Sequence, residues 1–406
     1  MTTAESYLET LQGLLLFLHT QRGVLPSLRQ LEELDPDVRA QLEVDFRESF
    51  DEVVEDAGRR EAMAFKSLAN LVRQNQALQA PFLAEGESYI DWPSVMPERK
   101  MPTIFQDRMT YEIISGLAEC ILAVAVKLNF VIPEKTVFGS LHTERLNACA
   151  IYLKESKEHL IVFESQLFFF LNRISKVIAQ CIVLQGKEEE GWKFSTRPED
   201  IIAQVKANSL IQESFNRLMI AYVFDGNVKA TPNIIIPLPQ QQFHSILLQS
   251  MELFIMAHEY THVVKHHYRS GSRSFLHLNN IDSEEVMPEW EKEFEADSFG
   301  ILIATGAMNE QGFQEDFCLV GPVLYFKLSE VIENAMSLKY GENIIDKKHG
   351  SHPPPSARRD NVIKTLAKSF DQEQMASAAY LPDVLSVILD YLWTNCAPII
   401  ATRAQK

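Results

Sequence analysis

A chain of 406 residues, 46% hydrophobic and 23% charged, has the composition of an ordinary globular protein and the length for about two or three cores. Its 55 acidic against 38 basic residues give a net charge of −17, which disfavours nonspecific binding to nucleic acid or to an anionic membrane. The five cysteines Cys120, Cys149, Cys181, Cys318 and Cys396 are far apart and form no CxxC pair, so they argue against a cysteine metal site and for a reducing, cytoplasmic setting.

In chain order, the stretch from Met1 to Ser6 lacks the basic start of a secretory signal, and Glu9 precedes the short apolar run Leu14 to Leu18, so export is not expected. Residues 3–20, 26–57 and 58–78 carry apolar side chains at three- and four-residue spacing, as in Leu8, Leu11, Leu15 and Leu18, and predict amphipathic helices. Pro81, Gly86, Pro93, Pro97 and Pro102 then break the pattern. That break predicts a helical N-terminal region over 1–103, able to receive a regulatory protein partner, and a main domain over 104–406. Arg108 to Asn129 predicts a helix. The most membrane-like stretch, 118–132, is interrupted by Glu119, Lys127 and Asn129 and falls short of the roughly 20 apolar residues of a span, so no integral membrane span is expected.

Strands are predicted at 148–153 and 159–164, a helix at 165–183, a charged exposed loop at 186–191 and a helix at 198–225. The apolar extended run from Asn233 ends at Pro237. From Gln240 to Arg269 there is neither Gly nor Pro, and residues 246–257 are apolar nearly all round, the pattern of a buried central helix. A polar loop is predicted over 266–286, a helix starting at Pro288, and further helices over 316–339, 354–370 and 381–395. The fold class is mostly α with a small β-sheet, α+β.

The central helix carries His258-Glu259-Tyr260-Thr261-His262. Residues four apart share a helix face, so both imidazoles can reach one Zn²⁺, and Glu259 can act as base toward a water there. A third ligand on the same segment, as in HExxHxxGxxH, would need Gly at 265 and His at 268, where the chain has Lys265 and Tyr268. A Glu from the following helix remains. Glu291, Glu293 and Glu295 compete, but of the three only Glu293 has an Asp four residues on, Asp297, which can accept the outer N–H of a ligand His. His266 and His267 read as bystanders at the helix end, where a cationic ring suits the macrodipole.

HEYTH followed by Glu293-Phe294-Glu295-Ala296-Asp297, and later Ser351-His352-Pro353-Pro354 with Arg358 four residues beyond the second proline, resembles the gluzincin metallopeptidases, in particular the HtpX and CAAX-prenyl endopeptidase branch. Upstream, Asn147-Ala148-Cys149 followed by residues 159–167 is similar to that branch's Asn-Ala-aromatic strand, second strand and helix, with Cys149 in place of the aromatic. The resemblance touches 147–173 and 246–366, and leaves 184–239 as an insertion. It implies a zincin-like core with one Zn²⁺ per chain, held by His258, His262 and Glu293, and hydrolysis of protein or peptide substrates. It also implies that Asn147, Ala148, Cys149 and Ala150 hold the substrate as an added strand, and that His352 stabilises the tetrahedral intermediate. The competing reading is a regulatory or scaffold protein with a structural or latent zinc site, in a stress or defence pathway. Glu259 discriminates against it, because a structural site needs no base and is closed by a fourth protein ligand.

Overall fold

The computed structural model describes residues 3–22, 36–79, 99–130, 135–153, 156–188, 191–267, 283–313, 317–341 and 352–405. Most of the predicted break at 80–104, most of the polar loop at 266–286, and Ser351 lie outside them. The described chain is mostly helical with a small sheet, as the sequence predicts, and falls into two compact units.

The first unit contains α1 (Ala4–Arg22), α2 (Pro36–Glu48), α3 (Phe50–Gln79), the start of α4 (Arg108–Lys127), and β1 (Thr136–Leu141), β2 (Ala148–Leu153) and β3 (Glu158–Glu164). β3 is buried along its whole length, as the run Leu160-Ile161-Val162-Phe163 requires of a central strand. β1 lies parallel to it, Val137 opposite Leu160, and β2 antiparallel on the other side, Ile151 opposite Leu160. β1 escapes sequence reading because Gly139 interrupts an already short apolar pattern.

The apolar stripe of α1, Ala4, Leu8, Leu11, Leu15 and Leu18, packs on Leu141, Ile151, Leu160 and Val162 of the sheet. The side-chain amide of Gln12 donates to the Ser140 carbonyl at 2.7 Å. The units therefore do not divide at the predicted boundary near 104. Helical periodicity shows that α1 has an apolar face but not what covers it, and a chain starting at 104 would strip that cover from the sheet.

The second unit takes the end of α4, all but the first turn of α5 (Ser165–Cys181), β4 (Val183–Glu188), β5 (Gly191–Ser195), α6 (Pro198–Ala207), α7 (Ser209–Asp225), α8 (Leu238–Val264), α9 (Ser283–Glu310), α10 (Val320–Tyr340), α11 (Pro355–Leu366) and α12 (Gln372–Ala404). β4 and β5 form an antiparallel hairpin where a charged loop is predicted, with residues 189–190 outside the description. The charges of 187–193 mask the pairing of Leu184 with Phe194.

Every residue of α8 from Ser250 to Thr261 is buried, as the all-round apolar run demands. α9 and α10 pack on it, α11 on both of these, and α12 on α10. The contact with α10 is made at Gly321, where a Cβ would lie 2.3 Å from the Ser250 carbonyl, so only glycine lets the two backbones touch. α9 begins at Ser283, five residues before the predicted start at Pro288. α4 and α12 are each long and apolar enough to cross a membrane by length and composition alone, with 39% of each apolar window buried in the protein. The expectation of no span weighs only 118–132, because Pro382 and Pro398 hide that residues 372–404 form one helix.

Candidate metal centre

The centre is assembled in the second unit by α8, α9 and the start of α11. His258 and His262 stand one turn apart on α8, and Glu293 projects from α9. His258 Nε2 lies 3.1 Å from His262 Nε2, and Glu293 carboxylate oxygens lie 3.5 Å from each of those nitrogens. Donors held about 2.0 to 2.1 Å from one tetrahedral metal are separated by about 3.3 Å. The three observed separations bracket that figure. These are the only three His, Cys, Asp or Glu residues that form such a group among the described residues, and their donor set of two imidazoles and a carboxylate suits zinc.

The helices can come this close because Gly300 faces α8. A Cβ there would sit 3.1 Å from the Cα and N of His258, tighter than ordinary contacts. One turn back on α9, Asp297 is fully buried and its Oδ1 lies 2.9 Å from His258 Nδ1, within hydrogen-bond reach. Glu291 is exposed, and Glu295 points to Lys265 and His267 at 3.1 and 2.9 Å, so neither competitor joins the group.

Arg358 is the residue whose role sequence reasoning misses. Its guanidinium donates to both Asp297 oxygens at 2.7 and 2.9 Å, lies 3.2 Å from Glu293, and stacks 5.0 Å from the Phe326 ring centre. The signal was present in the resemblance, which includes Arg358, but its partners lie about 60 residues away in sequence. α11 sets it in place. Pro354 and Pro355 preset the helix start, so that Arg358 falls on the first turn beside α9. Asn361, further along, donates to the Phe294 carbonyl at 2.8 Å and locks α11 to α9.

Burial is the largest influence on Glu293 and Asp297 and opposes their charge, yet Arg358 and the neighbouring histidines, His352, His258 and His262 for Glu293 and His258 for Asp297, together outweigh it and hold both carboxyls below their usual range, Glu293 well below. Burial and Arg358 lower His258, but the hydrogen bonds it donates to Asp297 and Glu293, with the Asp297 charge, together prevail and raise it to about 9. His262 is pushed down to about 3, mainly by burial. Were a metal ion held here, a proton would compete with it for His258 and not for His262. Since the metal takes the neutral ring, zinc affinity should fall about tenfold for each pH unit below about 9, by chelator competition at fixed ionic strength. An affinity flat between pH 9 and 7 would contradict this.

His352 stands at the rim, 53% exposed, with Nε2 3.9 Å from Glu293. Glu259 is buried on α8 directly after His258, and its charge, with those of Asp297 and Glu293, reaches the half-buried Tyr325, whose phenol is raised to about 12, chiefly by desolvation and against Arg358. Its phenol thus stays neutral at ordinary pH. Asn147, exposed, and Ala148, Cys149 and Ala150, half-buried, belong to the first unit. His267 is no bystander: its side chain is only 7% exposed and touches both His262 and Glu295.

No family model, no curated protein and no solved structure matches the chain.

Proposed function

We propose that this protein is a zinc-dependent endopeptidase of the gluzincin type, akin to the HtpX and CAAX-prenyl endopeptidase branch. The observation that carries the reading is the 3.1 to 3.5 Å spacing of three donors from His258, His262 and Glu293, with the buried Glu259 next in chain to a ligand. Held by His258, His262 and Glu293, zinc would supply a Lewis acid able to lower the pKa of a bound water toward about 7 and to polarise a carbonyl. Glu259, next in chain to His258, would act as the base that accepts a proton from the attacking water and returns it to the leaving nitrogen of the peptide. Asp297, fixed by Arg358, keeps His258 protonated at Nδ1 so that Nε2 faces inward.

His352 is exposed enough to meet substrate, and the prolines after it restrict its backbone, so its ring can donate to the oxyanion as that charge develops. The part assigned to Asn147, Ala148, Cys149 and Ala150 rests on the resemblance alone. Replacing His352 with Ala should lower kcat by roughly a hundredfold with KM and zinc content little changed, because the lost contact belongs to the transition state. Unchanged kcat with lowered stability would make His352 a turn anchor only. The function itself is tested by incubating the purified chain with a peptide library, with and without a zinc chelator. Cleavage that the chelator stops and zinc restores supports it, and a library left intact by zinc-loaded protein refutes it.

A further inference from the structure

On the outer side of His262, a second set of contacts mirrors the one Asp297 makes to His258. α8 ends in a paired hydrogen-bond motif: the backbone N–H of His267 donates to the His262 carbonyl at 3.1 Å and that of His266 to the Val263 carbonyl at 3.2 Å, with His266 in the left-handed region at φ 53°. This motif characteristically places the side chain after the left-handed residue against the one three from the helix end. Here these are His267 and His262, whose Nδ1 atoms lie 3.1 Å apart. His267 Nε2 lies 2.9 Å from Glu295, which Lys265 also pairs at 3.1 Å while its ammonium sits 3.7 Å from the centre of the Phe299 ring.

The protons on this chain follow from the ends inward. Glu295 can only accept, so His267 carries its proton on Nε2 and presents a bare Nδ1 to His262. His262 then donates through Nδ1, which leaves its Nε2 lone pair facing His258 and Glu293. From this geometry we infer that His267, backed by Glu295, is the positioning residue that sets the tautomer and ring plane of His262 for metal. The inference rests on the metal reading of the site.

Zinc affinity by competition with a chromophoric chelator, and the visible spectrum of the cobalt(II)-loaded chain, test it. His267→Ala should weaken zinc 10- to 100-fold and alter the cobalt spectrum. His267→Asn, whose side-chain oxygen offers an acceptor near the place of Nδ1, should recover most of both. Glu295→Ala lies at the surface and should shift both in the same direction by a smaller amount, so it carries the test if His267→Ala does not fold. Wild-type affinity and spectrum in Glu295→Ala and in folded His267→Ala overturn the inference and leave the metal reading intact. A wild-type chain that takes up neither zinc nor cobalt overturns both.

Discussion

Replacing Glu259 with Gln should leave the protein folded and zinc-loaded and reduce peptide hydrolysis by about 10² to 10⁴-fold, the contribution of a positioned general base. The substitution keeps the volume of a side chain that is 9% exposed on α8 and removes only its capacity to accept a proton. His258, His262 and Glu293 are untouched, so the donor triangle persists. kcat/KM on a cleaved peptide, read beside zinc content and melting temperature, separates the outcomes. Undiminished turnover would remove Glu259 from the chemistry, and a fall in zinc equal to the fall in rate would make it a determinant of the site's assembly instead.

The second large effect concerns Arg358. Two carboxylates, Asp297 and Glu293, share this one guanidinium in a buried setting, at 2.7 and 3.2 Å. Arg358→Met fills the space against Phe326 but leaves both charges without their cation, and breaking such a buried pair costs about 3 to 5 kcal/mol. Denaturant unfolding in chelator should show that loss at pH 8. The sign with pH follows. In the variant the carboxyls rise, so their protonated forms are favoured in the folded state, and the deficit should shrink as pH falls through their raised values. Arg358→Lys should recover little, since a single ammonium cannot reproduce the planar fork that meets both Asp297 oxygens and Glu293 at once. A loss below about 1 kcal/mol in Arg358→Met would show that the carboxylates find other partners.

What could be read from the sequence is what local periodicity determines. His258 with His262, and Glu293 with Asp297, share faces because four residues nearly complete a helical turn, and Asp297 indeed meets His258. The same period identified α1's apolar stripe and the burial of α8. Contacts set by how helices cross were not legible. Arg358 depends on α11 docking against α9, and the cover of the sheet by α1 links residues more than a hundred positions apart. His267 is an intermediate case. The sequence places it at the helix end, where a loop begins at 266, but does not mark the left-handed His266, which ends α8 without a glycine and turns the His267 ring back onto His262.

The central claim is that His258, His262 and Glu293 hold one metal ion, and elemental analysis of the purified chain tests it most directly. We expect about one zinc per chain in the wild type and in Glu291→Ala, and depleted zinc in His258→Ala, His262→Ala and Glu293→Ala. A folded wild type free of zinc, or full zinc in folded Glu293→Ala, would contradict the account.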